Sequence, residues 1–168
     1  MARKAEVKVS TKQKPYHYLG AGLPNVYLVG AEHALDPETG DESVGIPCLP
    51  ELLNALAVAV VTKNSTLTGD ELRFLRKRLG RSSKDFAALV GLTSEQYSRI
   101  ENGAMLTPPN DKLIRLMFVG LSFLKAIASR ELMEKVASAS WAATVNHEEK
   151  IVATHDAEQS WVVQTKAA

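Results

Sequence analysis

Three hydroxyl residues and three glycines, alternating between Thr68 and Gly103, constrain this chain more than any other feature. Thr68-Gly-Asp-Glu71, Ser82-Ser-Lys-Asp85 and Thr93-Ser-Glu-Gln96 each set a hydroxyl three residues ahead of a carboxyl or amide. At a helix start, the hydroxyl accepts from a free backbone amide of the first turn, and the longer side chain reaches back to the capping residue. Gly80, Gly91 and Gly103 then stand where a helix wants a left-handed closing residue. The spacing predicts three short helices of about two to three turns each, joined by tight turns. Each carries an apolar stripe: Leu72, Leu75 and Leu79; Phe86, Leu89 and Val90; Tyr97 and Ile100, with Leu92 in the turn between the second and third.

The second and third helices meet at Gly91-Leu92. Ala87 lies four residues before the glycine, where a larger side chain would keep the next helix from crossing closely. Leu92, Tyr97 and Ile100 are placed to plug into Phe86 and Val90, which leaves Ser94, Glu95, Ser98 and Arg99 on the outer face. A second helix that presents its N-terminal half outward suits the major groove of DNA. Arg99 has the fork to read guanine, and Glu95 can accept from a cytosine amino group.

The stretch from Thr68 to Arg115, with Ser82, Ala87, Gly91, Thr93 and Ile100-Glu101-Asn102-Gly103, resembles the lambda/434 repressor (XRE-type) helix-turn-helix family. The resemblance implies that Ser94, Glu95, Ser98 and Arg99 face base edges and that Ser83, Gln96 and Asn102 approach phosphates; Lys84 is read as a further, sequence-independent phosphate contact. Ser83 departs from a position where such repressors place glutamine. Tyr97 stands where a β-branched residue is common; partial burial is favoured over contact of its hydroxyl with phosphate. The resemblance also suggests that Arg76 pairs with Glu101 and locks the recognition helix to the scaffold, the alternative being two solvated charges. In a buried pair, Arg76→Ala would cost about 3 kcal/mol, against a control such as Arg73→Ala. The wider layout, with Asn25-Val26-Tyr27-Leu28 ahead of a helix and Leu67 to Arg78, resembles MqsA-type antitoxin regulators, without the cysteine pairs that hold zinc in them.

Outside this module the signals are weaker. Met1 to Pro15 is a basic arm, with Arg3, Lys4, Lys8, Lys12 and Lys14 against Glu6, and lacks the apolar core of a secretory signal. Tyr16 to Leu19 and Val26 to Val29 read as a β-hairpin, Asp36 to Asp41 as a turn, and Val44 to Ile46 as a third short strand. Leu49 to Lys63 reads as a helix apolar nearly all round, which needs a cover, and a dimer partner would serve. Lys63 to Leu67 is a polar linker. After Pro108-Pro109 one long helix is expected from Asn110 to Ser138, and the tail from Trp141 reads as a β-hairpin or a pair of strands. The resulting fold is mostly α with small β additions: a basic arm over 1–15, a small β/α unit over 16–64, the helix-turn-helix bundle over 65–118, and a helix with a β-hairpin over 119–168.

Net charge is only +1, but it is unevenly spread. Every charge from Ala31 to Glu51 is acidic, whereas Thr68 to Leu116 holds nine basic residues against six acidic ones, an excess of 9 − 6 = +3. The single cysteine, Cys48, excludes an internal disulfide and is read as a small semi-apolar filler. His17, His33, His147 and His155 are scattered; His147-Glu148-Glu149 with His155-Asp156 fits no zinc spacing, so no metal or cofactor is expected. No phosphate loop and no activated nucleophile points to an enzyme, and no stretch reads as a membrane span. The expectation is a cytoplasmic, sequence-specific regulator that binds a palindromic double-stranded operator as a homodimer and represses its own operon. The alternative is an antitoxin whose main task is to neutralise a toxin protein, with DNA binding as autoregulation.

Overall fold

The computed structural model describes residues 15–35, 39–122, 126–139, 149–155 and 160–166. Along the chain run β1 (Tyr16–His17), β2 (Val26–Val29), β3 (Glu32–Leu35), β4 (Glu42–Gly45), α1 (Leu49–Thr62), α2 (Gly69–Arg78), α3 (Ser83–Leu89), α4 (Ser94–Glu101), α5 (Pro108–Leu121), α6 (Ala126–Ser138), β5 (Lys150–His155) and β6 (Trp161–Lys166). The mostly helical fold with small sheets agrees with the sequence.

Four strands form one sheet in the order β1-β2-β5-β6. The N-terminal hairpin and the C-terminal hairpin are both present, but β2 also pairs in parallel with β5, Val26 opposite Ile151 and Leu28 opposite Ala153. Segments read separately in the sequence, at opposite ends of the chain, therefore share a sheet. Trp161 ties it further by donating its indole N–H to the Pro47 carbonyl at 2.9 Å. A second, two-stranded sheet pairs β3 with β4; β3 was not foreseen. The turn expected from Asp36 lies partly outside the described residues, as do the basic arm up to Lys14 and the His147-Glu148 cluster.

Strand alternation divides the large sheet into two faces. Val26, Leu28, Ile151, Ala153 and Trp161 are buried on one, and α1 packs against β5 and β6. Leu52, Leu56, Ala57, Val60 and Val61 of α1 are all buried there. Burying a side chain of this size contributes about 2 kcal/mol. The apolar helix is thus covered within its own chain, and needs no dimer partner for that purpose.

The long helix expected from Asn110 to Ser138 is two helices. Ser122 takes an extended conformation (φ −73°, ψ 143°) that ends α5, and α6 returns against both α5 and α1. Breaking the helix lets Leu132 and Val136 of α6 join the buried set, which a straight rod would have left in solvent. Cys48 departs from its expected role as well. It is exposed, and it sits in the left-handed region (φ 48°) as the residue before α1.

The polar segment from Lys63 to Leu67 is no free linker. Arg115 of α5 is wholly buried, and its guanidinium donates to the carbonyls of Val61 at 3.0 Å, Lys63 at 2.9 Å and Ser65 at 2.7 Å. Asp111, one turn earlier, accepts from Arg115 Nε at 2.7 Å and from the Leu67 backbone N–H at 2.7 Å. Lys63 Nζ lies 2.6 Å from Glu71 Oε2, with both side chains nearly buried. Together these contacts satisfy the carbonyls at the end of α1, where helical partners run out, and fix α1 and the sheet to the three-helix module.

Candidate nucleic-acid interface

Local sequence shapes the module as its spacing requires. Thr68 and Thr93 form complete capping boxes with Glu71 and Gln96, and Ser82 accepts from the Asp85 N–H at 3.1 Å. At the other ends φ is +64° at Gly80, +72° at Gly91 and +100° at Gly103. Each glycine closes a double hydrogen-bond motif. At the central turn, Leu92 N–H donates to the Ala87 carbonyl at 2.9 Å and Gly91 N–H to that of Ala88 at 3.3 Å. This pairing of bonds consumes the last free carbonyls of α3 and sets the direction in which α4 departs.

Packing then holds α4. Phe86, Ala87 and Tyr97 are fully buried, and the rings of Phe86 and Tyr97 meet edge to face at 5.6 Å, a favourable arrangement. Tyr97 is buried completely rather than partly, which removes its hydroxyl from contact with a phosphate. Burial, followed by the Glu101 carboxylate, pushes its phenol well above the ordinary tyrosine value.

The Arg76–Glu101 ion pair is formed. Arg76 Nε donates to Glu101 Oε1 at 2.7 Å and Nη2 to Oε2 at 3.3 Å, with 12% and 9% of the two side chains exposed. The bond to Glu101 holds the Arg76 proton more tightly than in ordinary arginine. Arg76 also donates to the Arg81 carbonyl at 2.9 Å in the α2–α3 turn. Arg73 joins in, donating to the Glu101 backbone carbonyl at 2.8 Å, so Arg73→Ala is no neutral control.

Gly69 contributes a close approach that sequence reading missed. A Cβ at that position would lie 2.5 Å from the Glu101 carbonyl oxygen. The start of α2 therefore abuts the end of α4, backbone against backbone.

These supports leave Ser94, Glu95, Ser98 and Arg99 exposed along one helix, with Gln96 beside them. The Glu95 carboxyl is held below its usual range by the backbone amide at the helix start, then by the Thr93 hydroxyl and by Arg99 one turn on. It therefore remains an ionised acceptor at neutral pH. Lys84 is exposed and Ser83 half-buried at the start of α3. Gln96 uses its carbonyl oxygen to accept from the Thr93 N–H at 2.9 Å, which leaves its amino group for an outside acceptor. Asn102 is exposed, but its amide donates to the Ser98 carbonyl at 2.8 Å. Of the basic residues counted in the sequence, Arg115 and Arg76 are consumed inside, while Lys77, Arg78, Arg81, Lys84 and Arg99 remain at the surface.

Residues 72–117 match the helix-turn-helix family model. This segment is a helix-turn-helix domain of the XRE type. Searches of curated proteins and of solved structures gave no match for the chain. The matched helix-turn-helix runs from α2 to α5 and so includes Asp111 and Arg115, while Thr68 and Gly69 lie just outside it. A helix-turn-helix of this kind is a DNA-binding unit. No helix among the described residues is long and apolar enough to cross a membrane, and no group of three or more metal-ligating side chains occurs among them.

Proposed function

We propose that the protein is a dimeric transcriptional repressor that binds a palindromic operator near its own gene, without enzymatic activity, in the cytoplasm where that DNA lies. The observation that carries this reading is the outward row of Ser94, Glu95, Ser98 and Arg99 on a helix fixed from three sides. Its constraints are the Gly91 turn, the Phe86–Tyr97 contact and the Arg76–Glu101 pair. Rigid placement matters because base readout depends on hydrogen-bond geometry, each good bidentate contact discriminating by about 1–3 kcal/mol. One module reads only a short site, and two-fold pairing doubles the contacts. Leu113 and Leu121 on α5 and Met133 on α6 are exposed apolar residues that support a self-association surface.

Gel shifts with DNA upstream of the gene and with a scrambled duplex, at two salt concentrations, test the proposal. Arg99→Ala should relax base preference, while Lys84→Ala should weaken binding to all sequences and flatten the salt dependence. Equal affinity for scrambled DNA refutes sequence-specific regulation. A second reading, an antitoxin that also binds DNA, is favoured by one observation: Glu32, Asp41, Glu42 and Glu51 are exposed on and near the β3–β4 hairpin, an acidic surface suited to a basic protein partner. Co-purification with the product of an adjacent reading frame distinguishes it.

A further inference from the structure

Among the described residues, no helix packs on the outer face of the four-stranded sheet. The registers place His17 opposite Tyr27, Tyr27 opposite Val152, Val152 opposite Gln164 and Lys150 opposite Lys166. Because strand residues alternate, these side chains all leave the sheet on the side away from α1. Two ring contacts agree with that placement. His17 stacks on Tyr27 at 4.8 Å, and Lys150 Nζ lies 5.6 Å from the centre of the same ring. His17, Lys150, Gln164 and Lys166 are exposed. None of the described strand residues on this face is acidic.

The end of the sheet that carries Lys150 and Lys166 adjoins the helix-turn-helix. On the α1 side of the sheet at that end, a cleft of about 740 Å3 is lined by Asn25, Glu149, Ile151 and Thr165, by Asp70 at the start of α2, and by Glu101, Asn102 and Met105 at and after the end of α4. Lys150 and Lys166 are the immediate neighbours of Glu149 and Thr165. The Lys63–Glu71 and Arg115 contacts hold the two parts together, so the sheet keeps a fixed place relative to α4.

We propose that this face is a second nucleic-acid contact, with Lys150 and Lys166 binding the sugar–phosphate backbone of the same duplex to one side of the segment read by α4. It rests on α4 entering the major groove. The chemistry selects a backbone over other occupants. Single strands are held by bases stacked on open aromatic rings, but the Tyr27 ring is already engaged by His17 and Lys150. A second copy docking through the same face would bring a positive patch against itself, since a two-fold contact pairs like surfaces. A polyanion meets neither objection.

The test uses the full chain, the double variant Lys150→Gln/Lys166→Gln and, as reference, Arg99→Ala. Affinity for a long duplex from upstream of the gene is measured against salt, with hydroxyl-radical footprinting and sedimentation of the free protein. Two lost phosphate contacts should reduce the slope of log affinity against log salt by about 2. Between ~50 and ~200 mM salt the wild type should then lose about tenfold more affinity than the double variant. Protected sugars on one flank should disappear, while protection in the core of the footprint stays. An unchanged slope and footprint, with Arg99→Ala still impairing binding, overturns the second contact and leaves the reader intact. Altered sedimentation in the double variant, without a change of slope, overturns it in favour of self-association. If Arg99→Ala also has no effect, the reading on which the proposal rests fails with it.

Discussion

Arg115→Met is the substitution with the most to say about how this molecule is held together. The arginine is 0% exposed and its partner Asp111 is 1% exposed, and the guanidinium serves the carbonyls of Val61, Lys63 and Ser65 besides Asp111. Methionine fills most of the space but donates nothing. Breaking a buried ion pair from one side costs about 3–5 kcal/mol, because the remaining charge is stranded. Each carbonyl left without a donor adds about 1–3 kcal/mol unless water reaches it. Asp111 keeps one bond, from the Leu67 N–H, and the ends of α1 can relax toward solvent, so about 4 kcal/mol is the expected net loss. That is a large part of a typical stability of about 5–15 kcal/mol. Urea unfolding of Arg115→Met, Asp111→Leu and the double variant measures it, with the exposed Lys77→Met as control. The double variant should lose less than the sum of the single ones, by about 2 kcal/mol or more. Additive losses, or an Arg115→Met loss no larger than that of Lys77→Met, would refute the clamp.

Other consequences concern α4 and its supports. Arg76→Ala should destabilise the protein by about 2–3 kcal/mol, since the Glu101 carboxylate is left with Arg73 Nε at 3.9 Å; a melting shift equal to that of Lys77→Ala would contradict the buried pair. Gly69→Ala should cost about 1–3 kcal/mol and lower DNA affinity by pushing the end of α4 outward, and unchanged affinity in gel shifts would show that α4 does not feel the start of α2. Folding raises the Tyr97 pKa, so the stabilisation tied to its neutral phenol is complete below about pH 10. It is lost as pH climbs past that toward the folded value. Urea midpoints of wild type should therefore fall more steeply than those of Tyr97→Phe at alkaline pH, and parallel curves would rule this out.

What was legible in the sequence was local. Capping hydroxyls, closing glycines and the short stripe of each helix act within a few residues, so Thr68, Ser82, Thr93, Gly80, Gly91 and Gly103 could be read directly. The Arg76–Glu101 pair was legible only through the family resemblance, since two charges at that separation carry no local signature. Asp111 and Arg115 did leave a trace: two opposite charges one turn apart, on the face of α5 that also holds Phe118 and Val119. In the sequence they enter only the charge count from Thr68 to Leu116, one on each side, with nothing to say that they are buried together.

The chain by itself determined three capped helices, the turn between α3 and α4, and which residues of α4 face outward, because hydrogen bonds and steric limits within a few residues decide those features. Tertiary structure decided the rest. Only strand pairing could join β2 to β5, only the return of α6 could show that the helix breaks at Ser122, and only the burial of Arg115 could turn a polar linker into a rigid joint. Each depends on contacts between distant segments, whose partners no local pattern names. The same distant pairing places Lys150 opposite Lys166 on one face of the sheet.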